Sequence, residues 1–416
     1  MSRLPVRRVV VTGLGLVTPL ALGVEASWEA LCAGRSGAGF ITRFDPESYR
    51  VKIAAEVPDW DPTEHMSARE ARRLDRYQQM ALVAAREALA DSGLKIDECN
   101  AGRTGVIVGS AVGGVESYYN QAELLFDTGD PRRITPFGIP MLMVNGASGL
   151  ISIETGASGP SGALISACAT GADCIGRACE LIRSGRIDQA LAGCSDAPII
   201  PIGVGAFDRV GACSREDRDP SRASRPFDRN RTGLVFGEGA GVLVLEALDV
   251  AQKRDAPVLA ELAGYGSTSD AFHSTAPDPE GRGAAAAICK ALRDAGINAD
   301  DIDYINAHGT ATQLNDVMET KALKRALGAA AWEIPVSSSK SMTGHAMGAT
   351  AAFEAVFSTL ALRDQLAPAT INLDDPDPEC DLDYVPNETR ELPLTRVMSN
   401  AFGFGGHNAS LIFSRI

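Results

Sequence analysis

The sequence predicts a layered α/β fold made by two passes of one plan. Three observations lead there. Strand-like and helix-like segments alternate along the chain. The strand-like ones are near-continuous apolar runs, which suit sheets covered by helices on both faces. And the series starts afresh near residue 255. The first pass holds RRVVVTG (7–13), TGVIVGS (104–110), QALAGCSD (189–196) and GVLVLEAL (241–248). The second holds VLAELAGYG (258–266), DYINAHGT (303–310), IPVSSSK (334–340) and NASLIFSRI (408–416). Each opens on a long strand that runs into a glycine, and each later sets polar residues just after a strand. The expected halves are 1–255 and 256–416.

Helices fill the intervals. RYQQMALVAAREALADSG (76–93) carries apolar residues at a spacing of three to four and stops at Gly93; AAAAICKALRDAG (284–296) has the same character. After Cys168, the residues Ile175, Ala178, Cys179 and Ile182 mark one face of a helix that ends near Gly185.

A chain of 416 residues has room for two sizeable cores. Its net charge of −14 argues against nucleic acid as a general partner, while leaving a local basic patch open. No apolar run is long enough to span a membrane. MSRLPVRRVVVTG is basic and then briefly apolar, but it is broken by glycine and lacks a cleavage site. It reads as a first strand rather than a signal peptide, and the cytoplasm is the expected compartment. The nine cysteines lie mostly inside apolar segments, without CxxC or zinc spacing, so neither a metal site nor disulfides are expected. The plain reading of any one of them is a small buried hydrophobe. TGLGLVTP offers Gly13 and Gly15, but Thr18 occupies the third glycine position, so a dinucleotide fingerprint is rejected.

Cys168 stands apart from the other cysteines. In ISACATGADC (165–174) it sits where a helix starts, among the small residues Ala167, Ala169 and Gly171. Unpaired N–H groups and the helix dipole favour a thiolate there, so the expected pKa lies below about 8.5. The same N–H groups can hold the oxyanion of a thioester under attack. A nucleophile needs partners, and there are only five histidines. His308 in NAHGTAT and His345 in SKSMTGHAMG occupy similar glycine-bearing loops in the half that lacks Cys168. Lys340 shares the loop of His345.

Together, ACATGADC, NAHGTAT, SSSKSMTGH and NAFGFGGHNAS resemble, in order and separation, the β-ketoacyl-acyl carrier protein synthases, the condensing enzymes of fatty acid and polyketide synthesis. The likeness runs from VVVTGLGLVTPL to LIFSRI and is greatest to the stand-alone bacterial synthase II type. It implies a thiolase-like fold of two duplicated halves in five layers, α-β-α-β-α, usually as a homodimer. It implies that Cys168 is acylated from acyl carrier protein. His308 and His345 would then assist decarboxylation of malonyl-carrier protein and stabilise the enolate, and the amides of Cys168 and Phe404 would form an oxyanion hole. Lys340 matches a lysine that tunes the site, and Glu319 its acidic neighbour; the bland alternative for Glu319 is a solvated helix residue.

Substrates would arrive on a phosphopantetheine arm, with no permanently bound cofactor and no metal. Thr310 and Thr312 match positions that meet the arm, and Val112, Phe207 and Phe402 match substrate-pocket positions. FGFGG (402–406) suits a movable gate around Phe404, or simply a tight turn. Arg69, Arg72 and Arg73, with Arg132 and Arg133, are in register with basic residues that meet the acidic carrier. A solvated helix face is their alternative reading. Three positions depart from the family: His407 replaces a threonine, Thr232 an aspartate, and Gly211 a carrier-binding arginine for which Arg209 can compensate. A thiolase would need a second cysteine near the C-terminus, and the last one is Cys380. A chain-length factor would lack the nucleophile. A type II polyketide ketosynthase remains the enzymatic alternative.

Overall fold

The computed structural model describes residues 7–416; residues 1–6, the start of MSRLPVRRVVVTG, lie outside them. Ten strands form the framework: β1 (Val9–Val17), β2 (Thr104–Gly109), β3 (Ser161–Gly162), β4 (Gln189–Asp196), β5 (Gly239–Ala247), β6 (Ala260–Ser269), β7 (Tyr304–Asn306), β8 (Val336–Ser337), β9 (Arg396–Gly403) and β10 (His407–Ser414). Their spatial order is β8-β7-β9-β10-β6-β1-β5-β4-β2-β3. This is two five-stranded sheets joined at one edge, where Val10 faces Glu261 and Val11 faces Ala260. In each half the strands lie third, second, fourth, fifth, first. Their directions also agree: β2 is parallel to β3 and β4, β7 is parallel to β8 and β9, and the remaining pairs are antiparallel. The structure therefore carries the same topology twice.

Five helices complete the layers: α1 (Arg76–Ser92), α2 (Thr170–Arg183), α3 (Arg282–Ala295), α4 (Gln313–Leu327) and α5 (Gly348–Asp364). α1 covers the outer face of β1 and β5. α3 covers β6 and β10, with α4 beside it. α2 and α5 lie between the two sheets. The order is α-β-α-β-α. Gly348 to Leu362 are buried without a break, as a helix between two sheets requires. Close approach depends on missing side chains. A Cβ on Gly171 would lie 2.7 Å from Ala352 N and from Gly348 O, so α2 and α5 meet backbone to backbone. The glycines of TGLG serve the outer layer in the same way. A Cβ on Gly13 would stand 2.2 Å from Ala88 O, and one on Gly15 would stand 1.9 Å from Ala84 O, both in α1.

α1 starts and stops where its residues dictate. Asp75 accepts from Tyr77 N, Gln78 reaches back to Asp75 N, and Gly93 takes a left-handed φ of 61°. The strands of the second half differ from expectation. β7 ends at Asn306, two residues short of His308. β8 spans only Val336–Ser337, because Lys340 opens a short helix, Lys340–Thr343. β9 was not expected as a strand of its own. Its middle, Ser399-Asn400, is polar yet buried, which breaks the apolar run that would mark it.

Candidate active site

The parallel strands of both halves deliver the site from their C-terminal ends, where the turns are free to carry function. β3 leads to Cys168, β7 to His308, β8 to Lys340 and His345, and β9 to Phe404. Both central helices also begin here, so two sets of unpaired helix N–H groups face the same region.

The turn at Cys168 is strained. Ala167 has φ 52°, a left-handed value that costs energy for a residue with a Cβ. Thr170 holds it: its Oγ1 donates to Ala167 O at 2.7 Å and accepts from Ser166 N at 3.0 Å. Cys168 thus stands on a single turn, Ala167–Ala169, just ahead of α2. The β9–β10 hairpin tip closes over it. A Cβ on Gly403 would lie 2.9 Å from Cys168 N and 2.8 Å from Ser166 O, so only glycine fits. The backbone amides of Phe404 and Cys168 both reach the sulfur.

His345 Nε2 lies 3.1 Å from Cys168 Sγ, and its Nδ1 lies 3.2 Å from Thr350 Oγ1. The ring of His308 stands 5.4 Å from that of His345, at 84°. The sulfur and one nitrogen of each ring fall within 4.8 Å of one another. The His308 loop is pinned from below. The amides of His308 and Gly309 each donate to a different oxygen of Glu319, both at 2.7 Å. Glu319 is fully buried, not a solvated helix residue. Nor is it the ionic partner of Lys340. That partner is Glu354, in α5, which accepts from Lys340 Nζ at 2.6 Å and from Ser339 Oγ at 2.9 Å.

Burial sets the protonation states. It pushes the Cys168 thiol up to about 11; the Phe404 amide and the Lys340 charge pull the other way without cancelling it, and the Asp196 charge adds to the rise. The expectation of a pKa below about 8.5 is therefore corrected. The helix N-terminus is present, but desolvation of the sulfur outweighs it. Burial, and then the Lys340 charge, hold His308 and His345 well below 6.5. Burial also pushes Glu319 up to about 7, against the pull of the two amides. At rest the site holds a neutral thiol and two neutral imidazoles.

A cavity of about 250 Å³ connects this group to the surface. Cys168, His308, His345, Phe207, Phe402, Phe404, Thr310 and Thr312 all border it. Phe404 stacks on Phe207 at 5.8 Å and 13°. Phe402 presents an edge to His308, also at 5.8 Å. Thr310 and Thr312 share a hydroxyl contact of 2.9 Å. Val112 lies outside that lining. It is half-buried, and its amide donates to Asp196 at 3.2 Å. Arg69, Arg72, Arg73, Arg132 and Arg133 are all exposed and away from the cavity. Arg73 lies over the Phe137 ring, and Arg132 is paired with Asp130. Of the departures, Gly211 and Thr232 border the cavity, Thr232 bonded to Ser214, while His407 packs beside Gly405.

Sequence reasoning missed Glu354, Thr350, Asp196 and the strain at Ala167. One signal was available: Glu354 is the single carboxylate within the apolar run ATAAFEAVFSTLAL. Buried charge in such a run implies a buried partner.

A thiol beside neutral imidazoles, backed by converging backbone amides and reached by a narrow cavity, defines an acyl-transferring enzyme. The chain belongs to the beta-ketoacyl synthase family, matching its N-terminal domain over residues 6–251 and its C-terminal domain over residues 259–374. It is 47% identical over 409 residues to 3-oxoacyl-[acyl-carrier-protein] synthase 2 of Staphylococcus aureus strain COL, covering 98% of each chain. The namesake of Coxiella burnetii is 47% identical with 99% of each covered, and that of Synechocystis is 46% identical with 100% covered. Among solved structures, a type II PKS acyl-carrier protein in complex with its ketosynthase bound to the hexaketide superposes with a TM-score of 0.92 at 35% identity, covering 99% of this chain and 100% of that one. A beta-ketoacyl synthase from Burkholderia phymatum superposes with a TM-score of 0.91 at 37% identity, covering 99% and 100%.

Proposed function

We propose that this chain is a 3-oxoacyl-[acyl-carrier-protein] synthase that lengthens acyl chains by decarboxylative Claisen condensation. The observation that carries it is the 3.1 Å approach of His345 Nε2 to the Cys168 sulfur, with His308 in the same small triangle. In the first step the sulfur attacks an acyl thioester on the carrier. A bond forms from sulfur to the acyl carbon, and the bond to the carrier's pantetheine sulfur breaks. The thiol proton passes to His345 Nε2 as attack proceeds, then to the leaving sulfur. Thr350 can accept from or donate to Nδ1, so Nε2 can act first as an acceptor and afterwards as a donor.

In the second step malonyl-carrier protein enters, and its bond to the carboxylate breaks. Carbon dioxide leaves, and the electron pair becomes an enolate held by N–H groups of the two imidazoles. Imidazoles kept neutral by burial and by Lys340 hold that oxygen without protonating the carbanion. The carbanion attacks the Cys168 thioester, the oxyanion rests on the amides of Cys168 and Phe404, and collapse frees the sulfur, which takes up a proton.

Thr310 and Thr312 serve the phosphopantetheine arm along the cavity, and no cofactor stays bound. Phe404, on its glycine-flanked turn, gates the acyl compartment beside Phe207. The exposed arginines at 69, 72, 73, 132 and 133 receive the acidic carrier. A second copy of the chain covers the exposed apolar residues Ile139, Met143 and Ile153, making a homodimer. No helix among the described residues is long and apolar enough to cross a membrane, and the cytoplasm is the proposed compartment. The halves divide at 255/256. The test is the intact mass of the protein after incubation with hexanoyl- to tetradecanoyl-carrier protein, followed by malonyl-carrier protein. The expected result is an acyl adduct on Cys168, then 3-oxoacyl-carrier protein and carbon dioxide; absence of the adduct overturns the reading.

A further inference from the structure

Asp196 ends β4, and its carboxylate is fully buried. The donors it meets are all neutral. Oδ1 accepts the Ser110 hydroxyl at 2.6 Å and the amides of Ala111 and Val112 at 2.9 and 3.2 Å. Oδ2 accepts the Ala349 amide at 3.2 Å and faces the Cys194 thiol at 3.7 Å. The first three donors belong to the turn after β2. Ala349 belongs to the first turn of α5, just beyond His345. The start of α5 presses on the nucleophile turn as well. A Cβ on Gly348 would lie 2.9 Å from Cys194 Sγ and 3.1 Å from Ala167 O. One carboxylate therefore joins the turn after β2 to the start of α5, directly behind Cys168.

A buried carboxylate met only by neutral donors is costly to maintain, and packing alone does not call for one. Its effects run in two directions. In the turn after β2, Ala111 packs with Phe207 and Met347 in one apolar cluster, beside the cavity. Toward the sulfur, its negative charge opposes formation of the thiolate, while Lys340 acts with the opposite sign. The other titratable groups in its field are Cys174, Cys194 and Tyr77, whose pKa values are all raised, so they stay uncharged at neutral pH.

We propose that Asp196 is a positioning residue that locks the apolar compartment beside Phe207 to the Cys168–His345 pair, so that one carboxylate sets both the acyl lengths accepted and the reactivity of the nucleophile. The inference rests on the condensing role proposed above. Asp196→Asn removes the charge and turns one acceptor oxygen into a donor facing donors. Its Cys168 is expected to react with iodoacetamide about tenfold faster at pH 8, read by peptide mass mapping. Its kcat/KM ratio for hexanoyl- against tetradecanoyl-carrier protein is expected to shift about fivefold, the size of one ordinary hydrogen bond. Ser110→Ala loosens the same turn and keeps the carboxyl group, which burial already pushes up to about 6 against the pull of the Ser110 hydroxyl. It is therefore expected to shift the acyl ratio and to raise the alkylation rate at pH 8 less than Asp196→Asn does.

An Asp196→Asn enzyme with wild-type alkylation, or with equal loss on both acyl lengths, overturns the proposal. So does a wild-type acyl ratio in Ser110→Ala, which decides the matter if Asp196→Asn does not fold. A wild-type protein that forms no acyl adduct defeats the condensing reading instead, and the alkylation rates still judge the hold of Asp196 on the sulfur.

Discussion

The two halves share one strand order and put different chemistry at equivalent places. Behind the third strand of the first half stands Cys168, while behind the third strand of the second half stand Lys340 and His345. Behind the second strands are Ser110 to Val112 in one half and His308 in the other. Behind the fourth are Asp196 and the Phe404 turn. The scaffold decides where groups converge, because C-terminal strand ends and the starts of two central helices point at one spot. Loop residues decide what each half contributes. The first half supplies the sulfur and a buried anion; the second supplies the imidazoles, a buried cation and the hairpin that lays an amide on the sulfur. Neither half holds a complete site.

Variants test that division of labour. Cys168→Ala is expected to abolish the acyl adduct and to lower condensation by about 10⁴-fold or more, read by intact mass and product formation; an adduct that persists in this variant removes Cys168 from the mechanism. In the second half the steps should separate. His308→Ala is expected to acylate at a near wild-type rate and lose about 10²- to 10³-fold in condensation, whereas His345→Ala loses about 10²-fold in acylation as well, since only His345 touches the sulfur. Equal acylation rates in the two variants would erase the distinction between the rings.

Lys340→Met leaves Glu354 buried without its cation. The expected cost is about 3–5 kcal/mol in a denaturant melt, with partial recovery in Lys340→Met/Glu354→Gln. The pH dependence of Cys168 alkylation follows from its raised pKa. The thiolate is the minority form at pH 7, so the rate should climb toward about tenfold per unit as pH rises to 10. A plateau beginning near pH 7 would mean that the helix N-terminus outweighs desolvation after all. The smallest effect is expected outside the cavity. Arg72→Glu should raise KM for the carrier protein a few-fold, more at low salt, with kcat nearly unchanged.

Much of this was legible from residue spacing. The stop of α1 at Gly93, the placing of Cys168 at a helix start and the loop settings of His308 and His345 all rest on neighbours within a few residues. The glycines of TGLG could be denied a nucleotide role from their spacing, yet their service to α1 could not be read, because it needs contacts with Ala84 and Ala88, far along the chain. β9 escaped notice because Ser399 and Asn400 look exposed in a sequence and are buried in the fold. Glu319, matched as the acidic neighbour of Lys340, does lie in the field of that cation, but its two oxygens accept from the amides of His308 and Gly309. The direct ionic partner of Lys340 is Glu354, whose segment carried no motif.

Local pattern and motif order were enough to predict the layered α/β plan and to single out Cys168, His308 and His345, which the fold brings together. Those properties depend on short-range periodicity and on residue chemistry that travels with the chain. The protonation states, the pairing of Lys340, the strain at Ala167 and the embrace of Asp196 came only with folding. Each depends on how much water is excluded and on which distant atoms arrive within about 3 Å, and no linear spacing encodes either.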